Sequence, residues 1–260
     1  MLTDAQVAHF QTFGFLVLRN AFSIAAMDVI RDHFDEVMTA NRDGTPFDGA
    51  KTQTVLWFAE QNPELARLAE DDRIYGPVGQ LLGEDFIWAL SDGNLYVDDT
   101  QWHGGSGQSE ERSTALSKHT QSRYLSRRPH RETGALRVIP GSHITEYQEH
   151  LKVLTAQYED PDARPLGFSG PRVPSLALES NPGDVVFFSE SLWHAAFGCH
   201  NRRIFTLIYY EEPKTLEQAE WLREYQTKTT AMFHPHESFL KSSRPRIRCM
   251  VEPYVELGLA

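Results

Sequence analysis

Three short segments hold most of the side chains in this sequence that could do chemistry. They are Thr100–Gly105, Gly134–His143 and Asn181–His194. His103 and His194 each supply an imidazole, a borderline donor that is neutral near neutral pH and suits a divalent metal such as Fe(II). Arg203 follows nine residues after His194, and its guanidinium group can bind a carboxylate through two parallel hydrogen bonds. Because the chain has 11 histidines, the presence of two of them is not evidence for a metal site by itself. The evidence is the order and spacing of the three segments.

Together with residues 3–7 and 14–20, these segments resemble the phytanoyl-CoA dioxygenase-like family over most of the chain. The similarity is weak at residues 41–60 and 212–260. The resemblance implies a mainly β fold with flanking helices, in which a double-stranded β-helix of the jelly-roll, cupin-like type forms a barrel. It also implies an enzyme that binds Fe(II) and consumes 2-oxoglutarate and O2.

By this resemblance, His103 is the first iron ligand and His194 the second, whereas His143 lies in a structural Pro-Gly-Ser-His turn. The family's third ligand is an aspartate two residues after the first histidine, and here that position is Gly105. An open position beside a dication can take chloride, and halogenases related to the family have Gly or Ala there. The resemblance therefore implies chlorination in place of hydroxylation. Gly105 has two alternative explanations. A tight bend of the chain can require glycine at this position, or the protein can be a relative of the family that has lost its metal.

The turn-like residues 198–201 predict an antiparallel hairpin that brings His194 and Arg203 to one end of the barrel. The resemblance assigns to Arg203 the distal carboxylate of 2-oxoglutarate. Arg202 is the near alternative, because the sequence does not fix which of the two side chains points inward. Polar residues of the strand-like stretch after the first histidine are expected to position co-substrate or substrate; they are Lys118, Thr120 and Arg123.

The basic stretch Arg127, Arg128 and Arg131 stands out in an acidic chain and is either a solvated surface or a clamp for a phosphate. A member of this size with His-x-Gly is similar to the nucleotide halogenases of purine-nucleoside antibiotic pathways, which implies 2′-deoxyadenosine 5′-monophosphate as substrate. Four aromatic residues would then stack on the base or would belong to the core. They are Trp102, Trp193, Phe197 and Tyr124. A free amino acid or an alkaloid as substrate, a hydroxylase, and a non-catalytic binding protein on the same barrel remain the alternatives.

The elements that must position these residues are helices first and short strands afterwards. Capping residues and apolar periodicity predict helices near residues 3–13, 23–37, 63–68, 74–82 and 216–227. β-Rich runs predict strands at residues 15–18, 86–90, 95–97, 135–139, 173–178, 185–188 and 204–210. We expect one domain over residues 1–260, with a helical support to about residue 84, a β-helix core to about residue 212 and a helical extension from residue 213.

The bulk composition favours a small-molecule partner. The formal net charge of −11 disfavours binding to nucleic-acid polymers and to anionic membranes. No apolar run approaches the length that spans a bilayer, the first residues do not resemble a secretion signal, and there are only two cysteines. We therefore expect a cytoplasmic enzyme, whereas the sequence gives no indication of its oligomeric state.

Overall fold

The computed structural model describes residues 1–104, 134–198 and 202–260, together with the course of a strand at residues 118–122. The described α-helices are α1 (Asp4–Phe13), α2 (Ile24–Ala40), α3 (Pro63–Ala66), α4 (Asp72–Leu82), α5 (Thr145–Leu151), α6 (Ala156–Glu159), α7 (Leu216–Lys228), α8 (Glu237–Leu240) and α9 (Pro245–Glu256). Among these described residues, no helix combines the length and apolarity needed to cross a membrane.

Capping side chains begin the N-terminal helices as the sequence predicts. Thr3 and Gln6 form the capping box of α1, and Gly14 ends that helix in the left-handed conformation, with φ of 79°. The Ser23 side chain accepts the hydrogen bond that caps α2, and Asn62 caps α3 directly before its first-turn proline. These local signals fix where the helices start, and burial of their apolar faces holds them against the sheet.

The described strands form two sheets. The strands are β1 (Phe15–Leu18), β2 (Gln53–Leu56), β3 (Phe86–Tyr96), β4 (Thr100–His103), β5 (Lys118–Ser122), β6 (Leu136–Val138), β7 (Leu176–Leu178), β8 (Val185–Ser189), β9 (His194–Ala196) and β10 (Arg202–Glu211). The larger sheet has the order β1-β8-β5-β10-β3-β2 and the smaller one β4-β9-β6-β7. Every pairing is antiparallel, and the described strands do not close into a single barrel.

Alternate side chains of the larger sheet face two different environments, as the pleat of a strand requires. One face packs against the helices in the main core, which includes Phe187, Phe205 and Leu207. The other face turns toward the smaller sheet, where Phe188 packs with Val138 in a second core. We call this second side the inner face. Any site between the sheets must be built from inner-face residues.

Two expectations from the sequence are wrong. Residues 86–90 and 95–97 are not separate strands, because β3 runs without a break from Phe86 to Tyr96. Nor do the strands flanking residues 198–201 form a hairpin with each other, because β9 pairs with β4 and β6 whereas β10 pairs with β3 and β5. The chain therefore passes from one sheet to the other between His194 and the two arginines.

A long segment between β6 and β7, residues 139–175, carries α5, α6 and 3-10 turns that the strand pattern did not predict. We call it the insert. It packs on the outer face of the smaller sheet, where Leu154 and Val173 meet Trp102, Trp193 and Phe197. At the C-terminus, α7 forms close to the predicted residues, and α9 packs against β3.

Candidate functional site

The two predicted metal ligands lie side by side. His103 of β4 and His194 of β9 are directly opposite in the register of the smaller sheet, and their ring centroids are 4.0 Å apart. A register shift between Thr100 and His103 marks an irregularity of the kind that re-aims a side chain beside an active site. The Phe188 ring, 5.1 Å from His194, lies on the inner face. The pair therefore belongs to the space between the two sheets.

Hydrogen bonds orient both imidazole rings in the same way. The Nδ1 atom of His103 lies 2.8 Å from the carbonyl oxygen of Gln101, and that of His194 lies 2.7 Å from the carbonyl oxygen of Leu192. If each Nδ1 donates its hydrogen, each Nε2 carries the lone pair that binds a metal. Burial lowers the pKa of His103, although the Gln101 carbonyl and the charge of Glu190 act in the opposite direction. A neutral imidazole is the form that a metal requires, so the two residues fit an iron site.

In the described part of the chain, no third His, Cys, Asp or Glu joins this pair in a metal-binding group. Gly105, which replaces the expected aspartate in the sequence, lies outside the described residues. Its neighbour Gly104 is described, and a Cβ atom there would come within 3.2 Å of Nε1 of Trp193. A side chain at the first glycine of His-Gly-Gly would therefore be tightly packed against the Trp193 ring.

The two adjacent arginines point to opposite faces of the larger sheet. Arg203 faces the helices and makes a bidentate ion pair with Asp35 of α2, with Nε–Oδ1 and Nη2–Oδ2 distances of 2.9 and 3.1 Å. Arg202 is buried with 3% of its surface exposed, lies 4.7 Å over the Tyr96 ring and donates to the carbonyl oxygen of Gly134. Because side chains alternate along a strand, Arg202 lies on the inner face. This placement favours Arg202 over Arg203 for a ligand held between the sheets.

The aromatic residues considered for base stacking lie on the other side of the smaller sheet. Trp102, Trp193 and Phe197 are almost fully buried and pack with the insert in a separate core. The Trp102 indole donates to the carbonyl oxygen of Gly170, 2.8 Å away. The sequence left a core role and a binding role open for these residues, and their position favours the core role.

Several predicted site residues lie outside the described part. They are Arg123, Tyr124, Arg127, Arg128 and Arg131, while for Lys118 and Thr120 only the strand is described. The described neighbours of the basic stretch are Ser122 and Gly134. Gly134 hydrogen-bonds to Phe197 and to Arg202 and thus lies at the Arg202 end of the strands, away from the histidines.

The sequence did not point to three residues near the histidines or on the inner face. Tyr158 of the insert contacts His103 with a ring-centroid distance of 6.0 Å. Glu190 accepts a hydrogen bond from the Tyr210 hydroxyl, and its charge reaches His103. Asp92 accepts hydrogen bonds from Asn94 and Thr206, and desolvation raises its pKa to about 6. Glu190 lies within the third segment, but none of the three residues stands at a ligand position of a motif, so only the fold could place them.

Solved structures with the same fold include several iron- and 2-oxoglutarate-binding proteins. HygX from Streptomyces hygroscopicus, with nickel and 2-oxoglutarate bound, is 22% identical, with a TM-score of 0.63 over 81% of this chain and 87% of that chain. SnoK, a non-heme alpha ketoglutarate dependent carbocyclase from nogalamycin biosynthesis, is 18% identical, with a TM-score of 0.63 over 91% and 94%. EctD from S. alaskensis with bound Fe is 21% identical, with a TM-score of 0.60 over 81% and 77%. At these identities the similarity shows the fold.

Family membership rests on the sequence. No curated protein sequence matches the chain. The family model of phytanoyl-CoA dioxygenase (PhyH) matches residues 10–204 of the 260, a range that contains both histidines and both arginines. The chain therefore belongs to the phytanoyl-CoA dioxygenase family, and it is an oxygenase-type enzyme that depends on iron and 2-oxoglutarate.

Proposed function

We propose that this enzyme is a halogenase, which replaces a C–H hydrogen of a small molecule by chlorine. The observation that carries the proposal is the pair formed by His103 and His194, whose ring centroids are 4.0 Å apart and whose Nδ1 atoms each lie within hydrogen-bonding distance of the carbonyl oxygen two residues earlier. Gly105 follows in the sequence where a hydroxylase of the family needs a carboxylate. A centre with two protein ligands has room for 2-oxoglutarate, O2 and one chloride ion, whereas a third protein ligand would occupy the chloride position.

The reaction balances with chloride as the source of the halogen. Substrate C–H, 2-oxoglutarate, O2, chloride and one proton give substrate C–Cl, succinate, CO2 and water. Replacing the C–H bond by C–Cl releases two electrons and the oxidative decarboxylation of 2-oxoglutarate releases two more, and these four electrons reduce O2. When bound, the iron supplies the oxygen activation that this exchange requires, and the protein residues supply the binding sites.

Within this function we assign the distal carboxylate of 2-oxoglutarate to Arg202. β9 runs from His194 toward Phe197, and Arg202 lies at that end because both it and Phe197 hydrogen-bond to Gly134. With a rise of about 3.3 Å per residue, His194 and Phe197 are roughly 10 Å apart. A metal bond, an extended five-carbon dicarboxylate and a hydrogen bond can cover this span. Arg203, the residue first expected from the sequence, stays the alternative, although Asp35 already occupies its guanidinium group.

The fold we propose is the double-stranded β-helix. Strands β3 to β10 are divided between the two sheets: β3, β5, β8 and β10 belong to the larger one, and β4, β6, β7 and β9 belong to the smaller one. β1 and β2 then extend the larger sheet at its two edges. We also keep the expectation of one domain over residues 1–260, with β1 and β2 contributed by the N-terminal helical support.

The substrate we propose is a free purine deoxynucleotide, 2′-deoxyadenosine 5′-monophosphate. Its support comes from the basic residues Arg127, Arg128 and Arg131 and from the resemblance to nucleotide halogenases. Structures of fold relatives contain other small molecules: one of HygX holds hygromycin B, and one of EctD holds 5-hydroxyectoine. A small-molecule ligand is thus common to the proposal and to these structures, and nucleotides, amino acids and alkaloids form the panel to be tested.

Product mass tests this proposal directly. The purified enzyme, supplied with Fe(II), 2-oxoglutarate, O2 and the panel, should convert 2′-deoxyadenosine 5′-monophosphate in chloride buffer to a product with hydrogen replaced by chlorine. The same reaction in chloride-free buffer is the control and should give no chlorinated product. A product that gains only oxygen in both buffers would instead establish a hydroxylase.

A non-catalytic binding protein on the same scaffold is the candidate of another class. Anaerobic titration with Fe(II) and 2-oxoglutarate separates it from an enzyme, because an iron-bound 2-oxoglutarate chelate absorbs visible light. We expect the absorption band in the wild type and its loss in His194→Ala. A wild type without the band would favour the binding protein.

A further inference from the structure

We propose that Tyr158 binds the substrate, with its ring stacked on the purine base; this inference rests on the nucleotide substrate proposed above. The starting point is the edge-to-face contact between Tyr158 and the predicted iron ligand His103, with centroids 6.0 Å apart and an interplanar angle of 75°. Tyr158 thus lies in direct contact with the metal end of the site. It is also the aromatic residue of the insert that reaches this end.

The contact leaves a face of the Tyr158 ring for another molecule. In an edge-to-face pair, the edge of one ring points at the face of the other. Whichever ring supplies the edge, at least one face of Tyr158 is not used by His103. Tyr158 is 54% exposed, so about half of its surface is open to solvent in the absence of substrate. A tyrosine needed only to support the His103 ring has no reason to keep half of its surface exposed.

The insert holds Tyr158 in place through its neighbours in the chain. Leu154 is completely buried in the outer core of the smaller sheet. Gln157, also completely buried, donates from Nε2 to the carbonyl oxygen of Ala163 at 3.0 Å. The backbone that leads into the exposed ring is therefore anchored, and Gln157 ties it to the chain beyond α6 at Ala163. Such an anchored ring loses little conformational freedom on binding, which favours its use as a stacking surface.

The composition of the insert agrees with a surface that receives a ligand. Of the 14 large apolar side chains that are exposed in the described residues, six lie in residues 139–175. Aromatic residues among them are Tyr147, Tyr158 and Phe168. Tyr158 is distinguished from Tyr147 by its contact with His103, while the two have nearly equal exposures of 54% and 56%. Tyr147 thus provides a matched control.

Calorimetry on the enzyme loaded with Fe(II) and 2-oxoglutarate without O2 measures the Kd of 2′-deoxyadenosine 5′-monophosphate without turnover. Tyr158→Ala should raise this Kd about tenfold, an effect typical of losing one aromatic ring from a stacked base. Tyr158→Phe, which keeps the ring, should remain within about twofold of the wild type on the same reasoning. Tyr147→Ala should also match the wild type. All four proteins should bind 2-oxoglutarate with the same Kd.

Three results would overturn the inference. The first is a Tyr158→Ala protein that binds the nucleotide as the wild type does, and the second is an equal loss in Tyr147→Ala. The third is a parallel loss of 2-oxoglutarate binding in Tyr158→Ala, which would make Tyr158 a support for His103. A wild type that does not bind the nucleotide would remove the proposed substrate and this inference together. If the nucleotide binds as predicted but is hydroxylated, the halogenase proposal fails while the role of Tyr158 stands.

Discussion

Replacing the two adjacent arginines separately should give opposite results. In Arg202→Ala, we expect 2-oxoglutarate binding to weaken by about 2–5 kcal/mol, the usual cost of removing one partner from a buried charge pair. This corresponds to a Kd that is roughly 30-fold to several thousand-fold higher. The low exposure of Arg202, 3%, favours the upper part of this range because little water competes for the carboxylate.

Arg203→Ala should leave the 2-oxoglutarate Kd unchanged and reduce only the stability of the fold. The Arg203 side chain is 31% exposed and that of Asp35 43%, so solvent screens their ion pair. Pairs of this kind contribute about 0.2–1 kcal/mol to the free energy of unfolding. Asp35→Ala is the matched control, because it breaks the same ion pair and should lower stability by a similar amount.

The assay is titration calorimetry with 2-oxoglutarate on the anaerobic Fe(II) enzyme, accompanied by thermal unfolding of each variant. The Arg202 guanidinium group also contacts Gly134 and Tyr96, and its removal could prevent folding. In that case Arg202→Lys is the second variant, because it keeps the positive charge but cannot form two parallel hydrogen bonds with a carboxylate. The reasoning is refuted if Arg203→Ala raises the 2-oxoglutarate Kd at least as much as the Arg202 variant does. An unchanged Kd in a folded Arg202 variant would refute it equally.

Three further predictions concern the iron site, the substrate and the buried carboxyl group of Glu60. His103→Ala and His194→Ala should each lose stoichiometric Fe(II) binding, measured by metal analysis after gel filtration, whereas retained iron would remove that residue from the site. 2′-Deoxyadenosine should react far more slowly than its 5′-monophosphate, measured as kcat/KM; equal rates would exclude a phosphate clamp by Arg127, Arg128 and Arg131. Burial raises the pKa of Glu60 from 4.5 to about 7, despite hydrogen bonds from Ser91 and Trp88. As the pH rises, the unfolded chain therefore releases this proton at a lower pH than the folded protein does. The free energy of unfolding should fall between about pH 4.5 and 7, at about 1.4 kcal/mol per pH unit and by roughly 3 kcal/mol in total. Glu60→Gln should remove this part of the pH dependence of urea unfolding, and an unchanged dependence would contradict the assignment.

Local signals in the sequence predicted much of the secondary structure. Thr3, Ser23 and Gly14 are found at the helix ends they were expected to mark, because caps and left-handed residues act over a few neighbouring residues. The opposite placement of Arg202 and Arg203 was not predictable in this way. Both arginines begin the same strand, and only the pairing of β10 within the larger sheet determines which one points inward.

The site itself was predictable only where it follows a motif. His103 and His194 are 91 positions apart in the chain, and their side-by-side arrangement follows from the pairing of β4 with β9. Tyr158 and Glu190 were missed because neither stands at a ligand position of a motif, and both come near His103 through connections between strands. The aromatic residues Trp102 and Trp193 flank the histidines in sequence yet face the other side of the sheet, because alternate residues of a strand point to opposite faces.

The central claim, that the missing carboxylate at Gly105 makes the enzyme a halogenase, is tested most directly by the product mass of Gly105→Asp beside the wild type. Both proteins would receive Fe(II), 2-oxoglutarate, O2, chloride and 2′-deoxyadenosine 5′-monophosphate, and succinate would be measured in parallel. The account predicts a chlorinated product from the wild type. From the variant it predicts a hydroxylated product or none, since the aspartate would occupy the chloride position. Chlorination by Gly105→Asp at the wild-type rate would contradict the account.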